Sequence, residues 1–347
     1  MRELKLLPNS EIEITGEVSS GDFMFGREQA IKELSESTEI DGFRKGKAPE
    51  SVLINKVGAD KLLETMAVIA LEKEYQKIIQ EHKIRPLGKP EITITKIAEH
   101  NPLGFKLKTA VMPEASLPDY KTIAKNVSRQ LMNDKKEEGI TAEDQEIDKI
   151  LEQLRKSRAK RNPPTGGKEE ILPDLNDSFA KAMGNFENLE ALKNTIKNNL
   201  IQEKKIKQKE KTRLGMMDKI IEEMRVELPR VLIEGEKEKM LGEMKVNTSD
   251  MGLKWEEYLA HIKKTEEDLK KDWEKDALKR VKLGLALHEI AEKEKIEVPE
   301  EELEKETRAA LEYYKGLGQN LDKERVKNHL YGAMRNERVF RMLEEGK

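Results

Sequence analysis

The sequence predicts a small α+β domain in the order β-α-α-β-β, followed by an extended all-α domain with long helical arms. Three observations carry that reading. Segments in which apolar and polar residues alternate are confined to the first 115 residues, and strict alternation marks half-buried strands. Beyond them the apolar residues recur at helical spacing, in stripes that leave most of each helix solvated. Charged residues make up 38% of the 347-residue chain and aromatics only 4%, against about 25% charged residues in ordinary domains.

The first strand is "EIEITGEV", with Ile12, Ile14 and Val18 on one face and Glu11, Glu13 and Glu17 on the other. A helix is expected over 22–36, a short one over 49–57 and a long one over 60–82, with Asp60 as its N-cap. "EITITKI" and "GFKLKTAVM" supply two more strands, placing Ile92, Ile94, Phe105, Leu107 and Val111 on core faces. Helices packed on one face of such a sheet make an α+β domain.

After "PEASLPDY" the alternation ends. "TAEDQEIDKILEQLRKSRAKR" opens with Thr141-x-x-Asp144, which resembles a capping box. "NPPTGG" is the sharpest break in the chain. One helix of roughly 37 residues, some 55 Å long, is expected over 188–224, and others over 229–244, 255–262, 265–295, 299–315 and 321–344. A weak internal echo links 214–236 with 283–306: in each a helix ends and a proline opens the next.

Several chemistries are excluded. There is no cysteine, hence no disulfide, zinc thiolate or cysteine nucleophile. Five histidines are scattered without metal-ligand spacing, and no P-loop motif occurs. No cofactor, metal or catalytic constellation is expected. The N-terminus lacks a signal-peptide pattern and no window approaches a membrane span, so a cytoplasmic protein without membrane contact is expected. The basic run "RKSRAKR" over 155–161 spreads its charges around a helix, and a net charge of −3 argues against nucleic-acid binding as the main task.

"DGFRKGKAPE", residues 41–50, stands out. It holds two glycines, a proline, three cations and Phe43 in ten residues, away from any periodic segment. An aromatic beside an arginine is the usual make-up of an interface anchor, and the surrounding cations favour an acidic partner.

"GFRKGKAP" resembles the signature G-F-R-x-G-x-x-P of trigger factor, a family of bacterial ribosome-associated chaperones, and matches it at Gly42, Phe43, Arg44, Gly46 and Pro49. "PLGKPEIT", "MPEASLPDY" and "LPDLNDSFAKAMGNFENLEALKNTIKNNL" are similar to further parts of that family, so the resemblance runs through nearly the whole chain. It implies a ribosome-binding α+β domain over 1–115 and a helical chaperone domain over 116–347. The latter falls into 116–162 and 171–347, joined by a short linker, 163–170, where the family carries a peptidyl-prolyl isomerase domain. Isomerase activity is therefore not expected.

The resemblance further implies an ATP-independent chaperone whose partners are the ribosome, through protein and rRNA near the exit tunnel, and nascent or unfolded polypeptides. Phe43, Arg44 and Lys45 would form the docking tip, with Gly42 and Gly46 shaping it and Lys47 helping electrostatically. The helical arms would enclose a cradle, in which Met216, Met217, Met240, Met244, Met251 and Met334 are candidate client-binding residues, methionine being adaptable to many partners. Whether the free protein forms a homodimer is left open. The alternative is a ribosome-independent helical holdase or a scaffold/adaptor protein.

Overall fold

The computed structural model describes residues 2–133, 140–158 and 172–346. The expected linker 163–170 and the last three residues of the basic run lie outside the described residues. In chain order the elements are β1 (Glu3–Leu7), β2 (Glu11–Val18), α1 (Ser20–Phe25), α2 (Arg27–Ser37), α3 (Glu50–Val57), α4 (Ala59–Glu81), β3 (Pro86–Lys96), β4 (Leu103–Val111), α5 (Tyr120–Asn133) and α6 (Asp144–Ser157). They continue with α7 (Asp177–Met183), α8 (Leu189–Glu223), α9 (Arg230–Asp250), α10 (Trp255–Ile262), α11 (Glu266–Asp272), α12 (Glu274–Lys293), α13 (Glu300–Gly316) and α14 (Lys323–Glu345). The expected class is observed: an N-terminal sheet with helices, then a helical remainder.

Two compact units result, one from residues 1–116 and 224–289, the other from 117–223 and 290–347. In the first, four antiparallel strands are ordered β1-β2-β4-β3. The sheet has one strand more than the sequence suggested. Leu4 pairs with Ile14 and Leu6 with Ile12, a run too short before Pro8 to register as alternation. Ile14, Val18, Phe105 and Leu107 are buried against Leu62, Met66, Leu71 and Ile78 of α4. Ile92, on the edge strand β3, is a correction: it is 41% exposed, whereas Ile94 two residues on packs on the core. Tyr75, buried on α4, meets Thr109 Oγ1 of β4 at 3.0 Å, so these two core hydroxyls satisfy one another.

Two expected helices are each divided. The helix expected over 22–36 breaks at Gly26, where a Cβ would lie 3.5 Å from Ile69 and 3.6 Å from the Met66 carbonyl; the break lets α4 approach. Ser19 caps α1 by accepting the Asp22 N–H at 3.1 Å. The helix expected over 265–295 breaks at Trp273, which turns in against Ile233, Met240 and Ala277. The cap foreseen at Thr141 is at Glu143 instead, whose N–H donates to Glu146 Oε2 at 2.9 Å. The Thr141 carbonyl accepts from Lys204 at 2.9 Å.

The echo between 214–236 and 283–306 is realised as shared punctuation. Pro229 and Pro299 are the N-caps of α9 and α13. Each helix then ends at a glycine of positive φ, Gly252 at 74° and Gly318 at 78°. Leu253 N–H returns to the Thr248 carbonyl at 3.1 Å, and Gln319 N–H to that of Tyr314 at 2.9 Å, the six-to-one bond of a Schellman end.

Candidate functional site

The 41–49 loop is built from two consecutive reverse turns. Phe43 N–H donates to the Ile40 carbonyl at 3.1 Å and Lys47 N–H to that of Arg44 at 3.0 Å. The third residue of each turn is a glycine, Gly42 with φ 84° and Gly46 with φ 75°, as a type II turn demands. A side chain at Gly42 would meet nothing within 4 Å, so its glycine answers to backbone conformation and not to space. Gly46 N–H also donates to the Ser35 carbonyl at 3.0 Å, pinning the second turn to the end of α2. At the far end Arg27 pairs with Glu50 at 2.6 Å, fixing the start of α3 after its N-cap Pro49.

Phe43 thus sits where the two turns join, 43% exposed. Arg44, Lys45 and Lys47 are exposed around it. Lys45 reaches Glu39 at 3.1 Å, a surface pair worth little once solvent and salt screen it. Among the described residues Arg44 and Lys47 have no ion-pair partner. An apolar ring and two uncommitted cations on a backbone held at both ends can enter an apolar recess beside acidic groups without first being ordered, which lowers the cost of docking.

The methionines proposed from sequence divide sharply. Met216, Met217 and Met240 are buried; in this conformation they pack the helical core and present no surface to a partner. Met244 and Met334 are half-buried. Met251, the C-cap residue of α9, is 75% exposed. Sequence reasoning passed over its neighbours Val246 and Leu253, and over Tyr313, Leu317 and Leu321 at the end of the α13–α14 hairpin, all of them exposed. For Leu317 the signal was an apolar residue just before the helix-ending glycine, in "GLGQ", the place Met251 holds in "DMGL".

The family model described as "Bacterial trigger factor protein (TF)" matches residues 2–154, and that described as "Bacterial trigger factor protein (TF) C-terminus" matches residues 188–345. The chain belongs to the trigger factor family. The trigger factor of Shouchella clausii (strain KSM-K16) is 26% identical over 376 aligned positions, covering 87% of each chain. That of Clostridium botulinum (strain Hall) is 27% identical over 383, covering 89% of this chain and 88% of its own. A solved trigger factor chaperone, from work on promiscuous substrate recognition in folding and assembly, covers 99% of both chains with a TM-score of 0.52 and 17% identity. That likeness bears on fold. No helix among the described residues is long and apolar enough to cross a membrane.

Proposed function

We propose that the chain is an ATP-independent chaperone that works in the cytoplasm, docking at the ribosomal exit tunnel through Gly42–Lys47 and shielding nascent or unfolded chains with its helical region. The observation that carries the reading is the exposed Phe43 on a doubly pinned turn between uncommitted cations. Phe43 fills an apolar pocket on a ribosomal protein, Arg44 and Lys45 meet acidic groups or rRNA phosphate, and Lys47 adds attraction. On this reading residues 1–115 are the ribosome-binding domain and 116–347 the chaperone domain, joined within by 163–170.

The chain performs no prolyl isomerisation. Only residues 155–187 separate the two family matches, too few for a domain of the usual hundred or so residues. The 376 aligned positions also exceed this chain's 347 residues, so the relative carries residues with no counterpart here. Exposed apolar side chains at the hairpin ends, Met251 and Leu317 among them, support weak contacts with many sequences.

Ribosome cosedimentation at physiological salt tests the docking claim. The wild-type chain binds, and the Phe43→Ala/Arg44→Ala/Lys45→Ala variant does not. Absence of binding by either would leave a ribosome-independent holdase as the better account.

A further inference from the structure

Between its two buried ends α8 is bare. Leu192 and Ile196 are buried near its start and Met216, Met217, Ile220 and Ile221 near its finish, with no buried residue from 197 to 215. Lysine crowds this stretch: residues 193–211 hold seven lysines against two acids, Glu203 and Glu210. Along the sequence the two signs look interleaved, but the helix sorts them. At about 100° per residue, Lys193, Lys197, Lys204 and Lys211 fall within about 40° of one another, in a row some 27 Å long. Glu203 and Glu210 lie about a quarter-turn away from that row.

The row is not neutralised from within. Lys204 is engaged, donating to Glu146 Oε2 at 2.5 Å and to the Thr141 carbonyl at 2.9 Å. Lys193, Lys197 and Lys211 are exposed, and among the described residues none of the three has an ion-pair partner. Lys207, beside the row, holds Glu203 one turn back on the same helix at 2.5 Å, an exposed pair that gives way readily to solvent and salt. Lys193 and Lys197 are like charges one turn apart, as are Lys207 and Lys211, and such pairs weaken a helix. An anionic partner lying along the row relieves that repulsion.

We propose that α8 binds the phosphate backbone of a nucleic-acid duplex along Lys193, Lys197 and Lys211, independently of the 41–49 loop. A straight row on one rigid helix meets a stiff, regularly charged partner without either having to be ordered first. Each lysine that displaces a condensed counterion then adds to the affinity. α8 contains no aromatic residue, so the stacking platforms that hold single strands are missing. Contact is therefore with the backbone and not with base edges, and it is indifferent to sequence. A membrane surface fits less well, because a helix lying in it needs an apolar face beside its cations. Ile206 and Leu214, exposed on α8, lie about half a turn and a quarter-turn round from the row. Because the whole chain carries a net charge of −3, the attraction is local and strongly screened by salt.

Fluorescence anisotropy of short labelled RNA and DNA duplexes titrated with the full chain tests the proposal, and the duplex bound more tightly names the source of the phosphates. With three phosphates neutralised, affinity is expected to fall about 40-fold between about 50 and 200 mM salt. Lys193→Gln/Lys197→Gln/Lys211→Gln abolishes binding, whereas Lys193→Arg/Lys197→Arg/Lys211→Arg keeps it. Lys197→Gln alone lowers the slope of log affinity against log salt by about one. The Phe43→Ala/Arg44→Ala/Lys45→Ala variant binds duplex as the wild type does, which separates this outcome from that of the docking claim. A wild type that binds neither duplex at about 50 mM salt overturns the proposal, as does a glutamine triple variant that still binds or a loop variant that does not. Poly-glutamate competing as well as unlabelled duplex also overturns it, since the row would then serve acidic polypeptides.

Discussion

Tyr120, buried at the start of α5, donates its hydroxyl to Glu294 Oε1 at 2.5 Å, just beyond the end of α12. Lys121 binds the other carboxylate oxygen at 3.1 Å, and Lys293 lies 5.3 Å from the Tyr120 ring centroid. The Tyr120 hydroxyl, then Lys121, hold the Glu294 carboxyl below the usual range. Burial and the same hydrogen bond hold the Tyr120 phenol above its usual range.

The signs set a pH plateau. A depressed carboxyl contributes above its unfolded value, about 4.3, and that contribution fades as pH falls through the folded value below it. A raised phenol contributes below about 10 and fades as pH rises through its folded value. Tyr120→Phe should therefore cost about 1.5 kcal/mol between those limits. The deficit should narrow in acid, measured by denaturant titration at several pH values. A deficit independent of pH would mean that lost packing, not the hydrogen bond, is responsible.

Arg213 is predicted to resist replacement by lysine. Its Nη1 and Nη2 donate to the two Glu337 oxygens at 2.6 and 2.8 Å, while Nε donates to Glu344 at 2.5 Å. The guanidinium also stands 4.9 Å from the Phe340 ring centroid. An ammonium cannot reproduce that fork. Arg213→Lys is expected to cost about 1–2 kcal/mol and to speed hydrogen exchange in α14; an unchanged exchange rate there would mean the clamp is dispensable.

Gly42→Ala and Gly46→Ala should each weaken ribosome docking through the backbone alone. Placing an L side chain at φ 84° or 75° costs about 1 kcal/mol or more, about fivefold or more in affinity. Because asparagine tolerates the left-handed region and valine does not, Gly42→Asn should bind better than Gly42→Val. The reverse order in cosedimentation would assign Gly42 to direct contact instead of turn geometry.

Two methionines with the same letter should behave oppositely. Met216 is fully buried, so Met216→Ala should lower stability by about 2–5 kcal/mol. Met251→Asp, at an exposed position, should leave stability within about 0.5 kcal/mol while reducing suppression of client aggregation. Equal suppression by Met251→Asp and wild type would remove that hairpin end from client binding.

Those two residues also show where the sequence stops being legible. Burial of Ile12, Ile14, Phe105 and Leu107 could be read directly, since strand alternation is local and has one period. Met216 and Met251 both lie at helical spacing, and only the neighbouring helices decide which is covered. Ile92 and Ile94 alternate identically on one strand, yet the first is exposed and the second packs on the core. The breaks at Gly26 and Trp273 arise from close approach of other segments, which no periodicity encodes. The turn glycines of the 41–49 loop were readable because positive φ is a property of the residue itself, whereas the grip of Ser35 on Gly46 needed the fold.

Ser116 and Arg225 exchange backbone hydrogen bonds at 2.9 and 3.2 Å, and both belong to the unit formed from 1–116 and 224–289. That pairing closes a loop of about a hundred residues, whose entropy must be lost before the contact is gained. During translation the first half of the unit therefore waits, at elongation rates of 5–20 residues per second, for roughly 5–20 s before its complement leaves the ribosome. A protein of a chaperone family is itself a client for that interval, exposing a partly finished surface while its own later segments are still being made.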